Sequence, residues 1–145
     1  MWTIDKGICL VFLIIVALKD IQTKKISVYA LVCGGMLSVI YQIFVGNMDL
    51  WLLSGGIMTG ILFLFISRMT QEGMGYGDSI LILILGIYLG FHQLIIVLSM
   101  SFFLLLCVSI PVLWCRKMSR EYTLPFIPFL TVGYLCFLLI GGVNS

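Results

Sequence analysis

The stretch ILILILGIYLGFHQLIIVLSM, Ile80 to Met100, decides the fold. Read as one helix over 79–98, it leaves 99–115 as a stub. Read as two, it turns at LGFHQ, Leu89 to Gln93, where Gly90 and His92 interrupt the apolar run. The turn is the better reading, and it gives six apolar segments: 3–19, 28–46, 49–67, 79–91, 92–114 and 124–142. A membrane span needs roughly 20 residues, with about 17 as a minimum. The segment 79–91 is short, and as a helix it reaches only ~20 Å, so its tip stops below one surface. The expected fold is an all-α polytopic membrane protein, a bundle of six transmembrane helices in one membrane domain over 1–145.

Composition agrees with that reading. The chain is 62% hydrophobic and 10% charged, whereas a soluble domain carries about 25% charged residues. A net charge of +2 is too small to suggest nucleic acid. The first apolar run has no basic start, since Asp5 precedes Lys6, and it ends in Lys19 and Asp20 without a small-residue cleavage pattern. It therefore reads as a retained helix and not as a secretion signal. The five cysteines (Cys9, Cys33, Cys107, Cys115, Cys136) form no C-x-x-C pair and read as small apolar filler. No metal site and no cofactor are expected.

Six spans make the loops alternate sides. Lys19, Lys24, Lys25, Arg68, Arg116, Lys117 and Arg120 then share one side, and only Lys6 of the eight basic residues lies opposite. The positive-inside rule makes the crowded side cytoplasmic and puts both termini outside. Gly56-x-x-x-Gly60 and Gly86-x-x-x-Gly90 each place two small residues on one helix face, as close helix packing requires.

Of the six acidic residues, Asp5 and Asp49 fall in outer junctions, and Glu72 and Glu121 sit in cytoplasmic loops beside basic residues. Asp20 and Asp78 differ. Each is expected to cap an apolar helix at the cytoplasmic boundary, where an acidic residue is expensive and marks a functional site. Two carboxylates sharing one proton can hydrolyse a peptide bond: one takes a proton from water while the other polarises the scissile carbonyl. Such a pair titrates as a unit, so acid and base are not assigned individually. Serine or cysteine chemistry lacks a base, because the lone histidine, His92, lies in the outer turn. Ahead of Asp78 stand Gly73, Gly75 and Gly77 in GMGYGD. They leave backbone amides open to an extended substrate and permit positive φ. Asp78 itself is expected to serve as a helix N-cap, favoured by the helix dipole.

GMGYGD resembles the G-x-G-D signature of intramembrane aspartic proteases, and the type 4 prepilin peptidases in particular. In that family glycines recur about eight and twelve positions after the aspartate, here Gly86 and Gly90. The family's other aspartate ends a helix and precedes a basic run and an isoleucine. ALKDIQTKKISVYAL supplies Asp20, Lys24, Lys25 and Ile26 in that order. LPFIPFL, Leu124 to Leu130, is similar to the motif that opens the family's last helix. The resemblance implies a membrane aspartic endopeptidase with Asp20 and Asp78 as its dyad. It also implies a pilin-like precursor as substrate, with a basic leader cut at the cytoplasmic face of a prokaryotic plasma membrane.

Ser27 and Val28 stand where the family usually has proline-asparagine, and Ile80 stands where it usually has lysine. The chain lacks the cysteine-bearing insertion of the longer members that also methylate. It therefore resembles the short, peptidase-only form, similar to preflagellin and Flp/Tad-type prepilin peptidases. A leader-binding homologue that does not cut, and a small transporter-like subunit using its carboxylates for cations, are the rival readings. Two carboxylates on one side beside a glycine loop suit hydrolysis better than transport.

Overall fold

The computed structural model describes residues 2–23, 28–46, 49–70, 76–115 and 126–143. They form six helices: α1 (Trp2–Thr23), α2 (Val28–Phe44), α3 (Leu50–Met69), α4 (Tyr76–Leu89), α5 (Phe91–Cys115) and α6 (Phe126–Val143). All regular structure among these residues is helical. The expected segments reappear in order, and the short fourth segment is a helix of 14 residues.

The turn at LGFHQ is present and occupies one residue. Gly90 lies at φ 76°, a left-handed conformation that costs a side chain roughly 1–2 kcal/mol. Its N–H donates to the Gly86 carbonyl at 3.0 Å, ending α4. Its own carbonyl accepts from the Leu94 N–H at 3.1 Å, starting α5. One glycine thus closes one helix and opens the next.

Two helices, Leu50–Met69 and Phe91–Cys115, are long and apolar enough to cross a membrane, and three shorter ones are also strongly apolar. Large apolar side chains stand out on their outer surfaces: Phe44, Trp51 and Trp114 are all exposed, the last at 92%. A face of that kind belongs against lipid and not water.

The chain divides into two compact units. One comprises α2, α3, α4 and the first turn of α5. Within it α4 is gripped from both sides. On the α3 side Gly56 and Gly86 meet backbone to backbone, and a Cβ added at Gly86 would lie 2.5 Å from the Gly56 carbonyl oxygen. A Cβ at Gly60 would lie 2.6 Å from the Leu83 Cα. The G-x-x-x-G faces therefore work as packing surfaces at Gly56, Gly60 and Gly86, while Gly90 serves the turn. On the α2 side the Ser38 hydroxyl donates to the Ile84 carbonyl at 3.1 Å, and the rings of Tyr41 and Tyr88 lie 4.8 Å apart. These pairings fix direction. Ascending residues of α2 meet ascending residues of α4, so the two run parallel, and α3 runs antiparallel to α4.

The other unit comprises α1, α6 and the body of α5. The Thr131 hydroxyl reaches the Leu13 carbonyl at 3.5 Å, and the Tyr134 hydroxyl reaches the Lys6 carbonyl at 3.5 Å. As the α6 number rises the α1 number falls, so α1 and α6 are antiparallel. The rings of Phe102 and Phe126 lie 5.2 Å apart, and Gly133 leaves room for Ser101.

Candidate active site

Asp20 belongs to the α1 unit. It is 9% exposed, and it ends a buried stripe made by Cys9, Leu13, Val16 and Ala17, which precede it by 11, 7, 4 and 3 residues. Those intervals keep one helix face pointed the same way, so the carboxyl shares the packed face of α1. Ile14, Ile15, Leu18 and Lys19 occupy the exposed remainder. Asp20 stands one residue past the apolar run 3–19, and burial pushes its carboxyl above the usual carboxylate range. The negative end of the α1 dipole, in the last turn, acts in the same direction.

Asp78 belongs to the α4 unit and is half-buried in the first turn of its helix. Buried Leu81, Ile82, Leu85 and Leu89 follow it by 3, 4, 7 and 11 residues. It heads its stripe as Asp20 ends the other. Here the helix dipole presents its positive end, which favours a negative charge.

Two expectations are corrected. Asp78 is not an N-cap: α4 begins at Tyr76, which makes Asp78 the third helical residue. Tyr76 and Gly77 adopt helical backbone ahead of it, which also removes Gly77 from the loop and from positive φ. Asp20 does not end its helix either, because Ile21, Gln22 and Thr23 prolong α1 beyond it. None of these three breaks a helix, so the backbone continues past Asp20. Gly73 and Gly75 lie outside the described residues.

The sequence reading missed Ser79, which is 1% exposed and donates from its hydroxyl to the Phe63 carbonyl of α3 at 3.3 Å. Its signal was available: a small polar residue between an aspartate and an unbroken apolar run. All five cysteines are free thiols. Among the described residues, no three histidine, cysteine, aspartate or glutamate side chains gather as a metal site would require.

The described helices thus place one carboxylate on the packed face of α1 and one on the packed face of α4. The family model of the type IV leader peptidases matches residues 7–110, a range that holds both aspartates. The chain belongs to the type IV leader peptidase family. It is thus a peptidase of the leader-removing kind, acting on pilin-like precursors in general terms. The LPFIPFL motif lies beyond the matched range. No curated protein and no solved structure matches the chain.

Proposed function

We propose that this chain is a membrane aspartic endopeptidase that removes the short basic leader from type 4 pilin-like precursors. It would act at the cytoplasmic face of a prokaryotic plasma membrane, with Asp20 and Asp78 as one dyad and residues 1–145 as one peptidase domain. The observation that carries the reading is the placement of both carboxylates on packed helix faces rather than toward lipid.

In this mechanism one carboxyl holds the shared proton and hydrogen-bonds to the scissile carbonyl. The other takes a proton from water as the water attacks, and the proton returns to the departing amine. Burial of Asp20 favours a proton within the pair. The two carboxyls titrate as a unit, and neither is assigned the acid or the base alone. Gly73, Gly75 and Gly77 would leave the approach to Asp78 free of side chains, so that an extended leader can lie against it.

Helix directions support spans that alternate in direction, and the charge distribution supports both termini outside. Alternation requires α2 and α4 parallel, α3 against them, and α1 against α6, and each packed unit has that sense. The seven clustered basic residues then fall on the cytoplasmic side together with both aspartates.

The test is co-expression with a tagged precursor that carries a basic leader, a glycine at the cut and an apolar helix. Loss of the leader, read by gel shift and N-terminal sequencing of the product, is the expected result. A precursor left intact by well-accumulated enzyme would overturn the reading.

A further inference from the structure

Tryptophan and tyrosine are exposed only at helix ends. Among the described residues the exposed ones are Tyr29, Trp51, Tyr76 and Trp114. They stand second in α2, second in α3, first in α4 and next to last in α5. The others are turned away: Tyr41 and Tyr88 are half-buried against each other, and Tyr134 is fully buried. Between the ends, exposed positions carry purely apolar groups such as Met36, Leu37, Met58 and Ile61. An indole or phenol has an apolar body and a polar tip, so it settles where acyl chains meet headgroups.

In the unit of α2, α3 and α4 these residues form two belts. Tyr29 precedes Ser38 by 9 residues and Tyr76 precedes Ile84 by 8, and Ser38 bonds to the Ile84 carbonyl, so the two tyrosines stand level. Exposed Arg68 lies five residues past Phe63, whose carbonyl receives Ser79, and so reaches the same end. Its guanidinium suits a lipid phosphate. Trp51 and exposed Phe44 mark the opposite end. From Tyr29 to Phe44 is 15 residues, about 22 Å of helix, and from Trp51 to Arg68 is 17 residues, about 26 Å. Both fall short of the roughly 30 Å of an average hydrocarbon core.

From this we infer that the two belts seat the α2, α3 and α4 unit on phospholipid headgroups of both leaflets, and that the bilayer beside this unit is thinned to meet them. A short apolar span draws the leaflets together when polar anchors hold its ends. Tyr76 precedes Asp78 by two residues, so thinning at that belt also shortens the path of water to the carboxyl. The inference rests on the membrane part of the proposed function and not on the dyad.

The test keeps one tryptophan at a time in the full chain. Trp2→Phe with Trp114→Phe leaves only Trp51. Adding Trp51→Phe, and then either Tyr29→Trp or Met58→Trp, moves the probe to the other belt or to the middle of α3. Each protein is reconstituted in dioleoyl or thicker dierucoyl phosphatidylcholine vesicles. These contain a minor share of lipid brominated near the carbonyl end or near the terminal methyl of its chains. Trp51 and the Tyr29→Trp probe should lose more fluorescence to the carbonyl-end bromine in both vesicles, and the Met58→Trp probe more to the terminal-methyl bromine. Tilting brings the belts closer across the bilayer, so it cannot imitate this result. A belt probe quenched most from the terminal methyl, one quenched by neither bromine, or equal quenching of all three probes would overturn the inference. So would a belt probe that turns deep as oleoyl chains give way to erucoyl. A chain that does not float with the vesicles takes the membrane reading down as well. Leader removal is not read, so an uncut precursor counts against the dyad alone.

Discussion

Asp20 and Asp78 occupy mirrored positions on their helices: one closes a buried stripe and the other opens one, at the same intervals of 3, 4, 7 and 11 residues. The arrangement turns each carboxyl inward at a helix end while the rest of its face packs. A lipid-facing or randomly placed aspartate would share neither spacing.

Replacing either aspartate should abolish processing. Asparagine matches aspartate in size and keeps one accepting oxygen, but it cannot take up or share a proton. Asp20→Asn and Asp78→Asn should each leave the precursor uncut while the enzyme accumulates normally in membranes. Glu72→Gln, outside the dyad, should retain most activity. Immunoblots of enzyme and precursor from the same cells distinguish lost chemistry from lost protein.

Asp20→Asn should also stabilise the fold, with a specific pH dependence. Burial raises the Asp20 carboxyl above its ordinary 3.8, so the folded chain holds that proton to higher pH than the unfolded chain does. Below about pH 3 both states are protonated and the group has no effect. As pH rises from 3.8 through the raised value, wild-type stability falls, and above that value the loss is complete. The melting temperature of Asp20→Asn should therefore exceed that of wild type at neutral pH and converge with it in acid. A gain that is equal at both pH values would contradict the assignment.

The Gly56 and Gly86 contact should tolerate no side chain. A methyl at Gly86 would meet the Gly56 carbonyl oxygen at 2.5 Å, and backbone cannot yield as a flexible side chain can. Gly86→Ala should cost about 1–3 kcal/mol, read as a lower melting temperature in detergent. Gly7→Ala, with nothing within 4 Å of the added carbon, should be neutral or stabilising by up to ~1 kcal/mol.

Orientation is open to labelling in a variant without its native cysteines. Thiols engineered near Asn47 and Asn144 should react with an impermeant reagent from outside. Thiols near Thr70 and Ser119 should react only after permeabilisation. The reverse pattern would exclude a cytoplasmic leader from the site.

Much of this was legible from residue types alone. Gly90 announced the turn because glycine takes its left-handed backbone without the cost a side chain adds, and the 56/60 and 86 glycines announced close packing by their spacing. The helix ends were not legible. Polarity ends the apolar run at Lys19, but hydrogen bonding carries α1 on to Thr23. Likewise Gly77 looks like loop and is helix, because a glycine in the first turn loses little there. The Ser79 bond was beyond reach, since it depends on which turn of α3 stands opposite, and no local pattern fixes that register.

The brevity of α4 has a chemical consequence. Each cut consumes a molecule of water, a reactant scarce among acyl chains. Asp78 precedes Leu89 by 11 residues, about 17 Å of helix, against a hydrocarbon thickness of roughly 30 Å. In the proposed orientation, with Gly90 toward the outer surface, Asp78 would stand well short of the inner one. Water would then have to reach Asp78 below the level of the cytoplasmic headgroups, and the length of α4 would set how far.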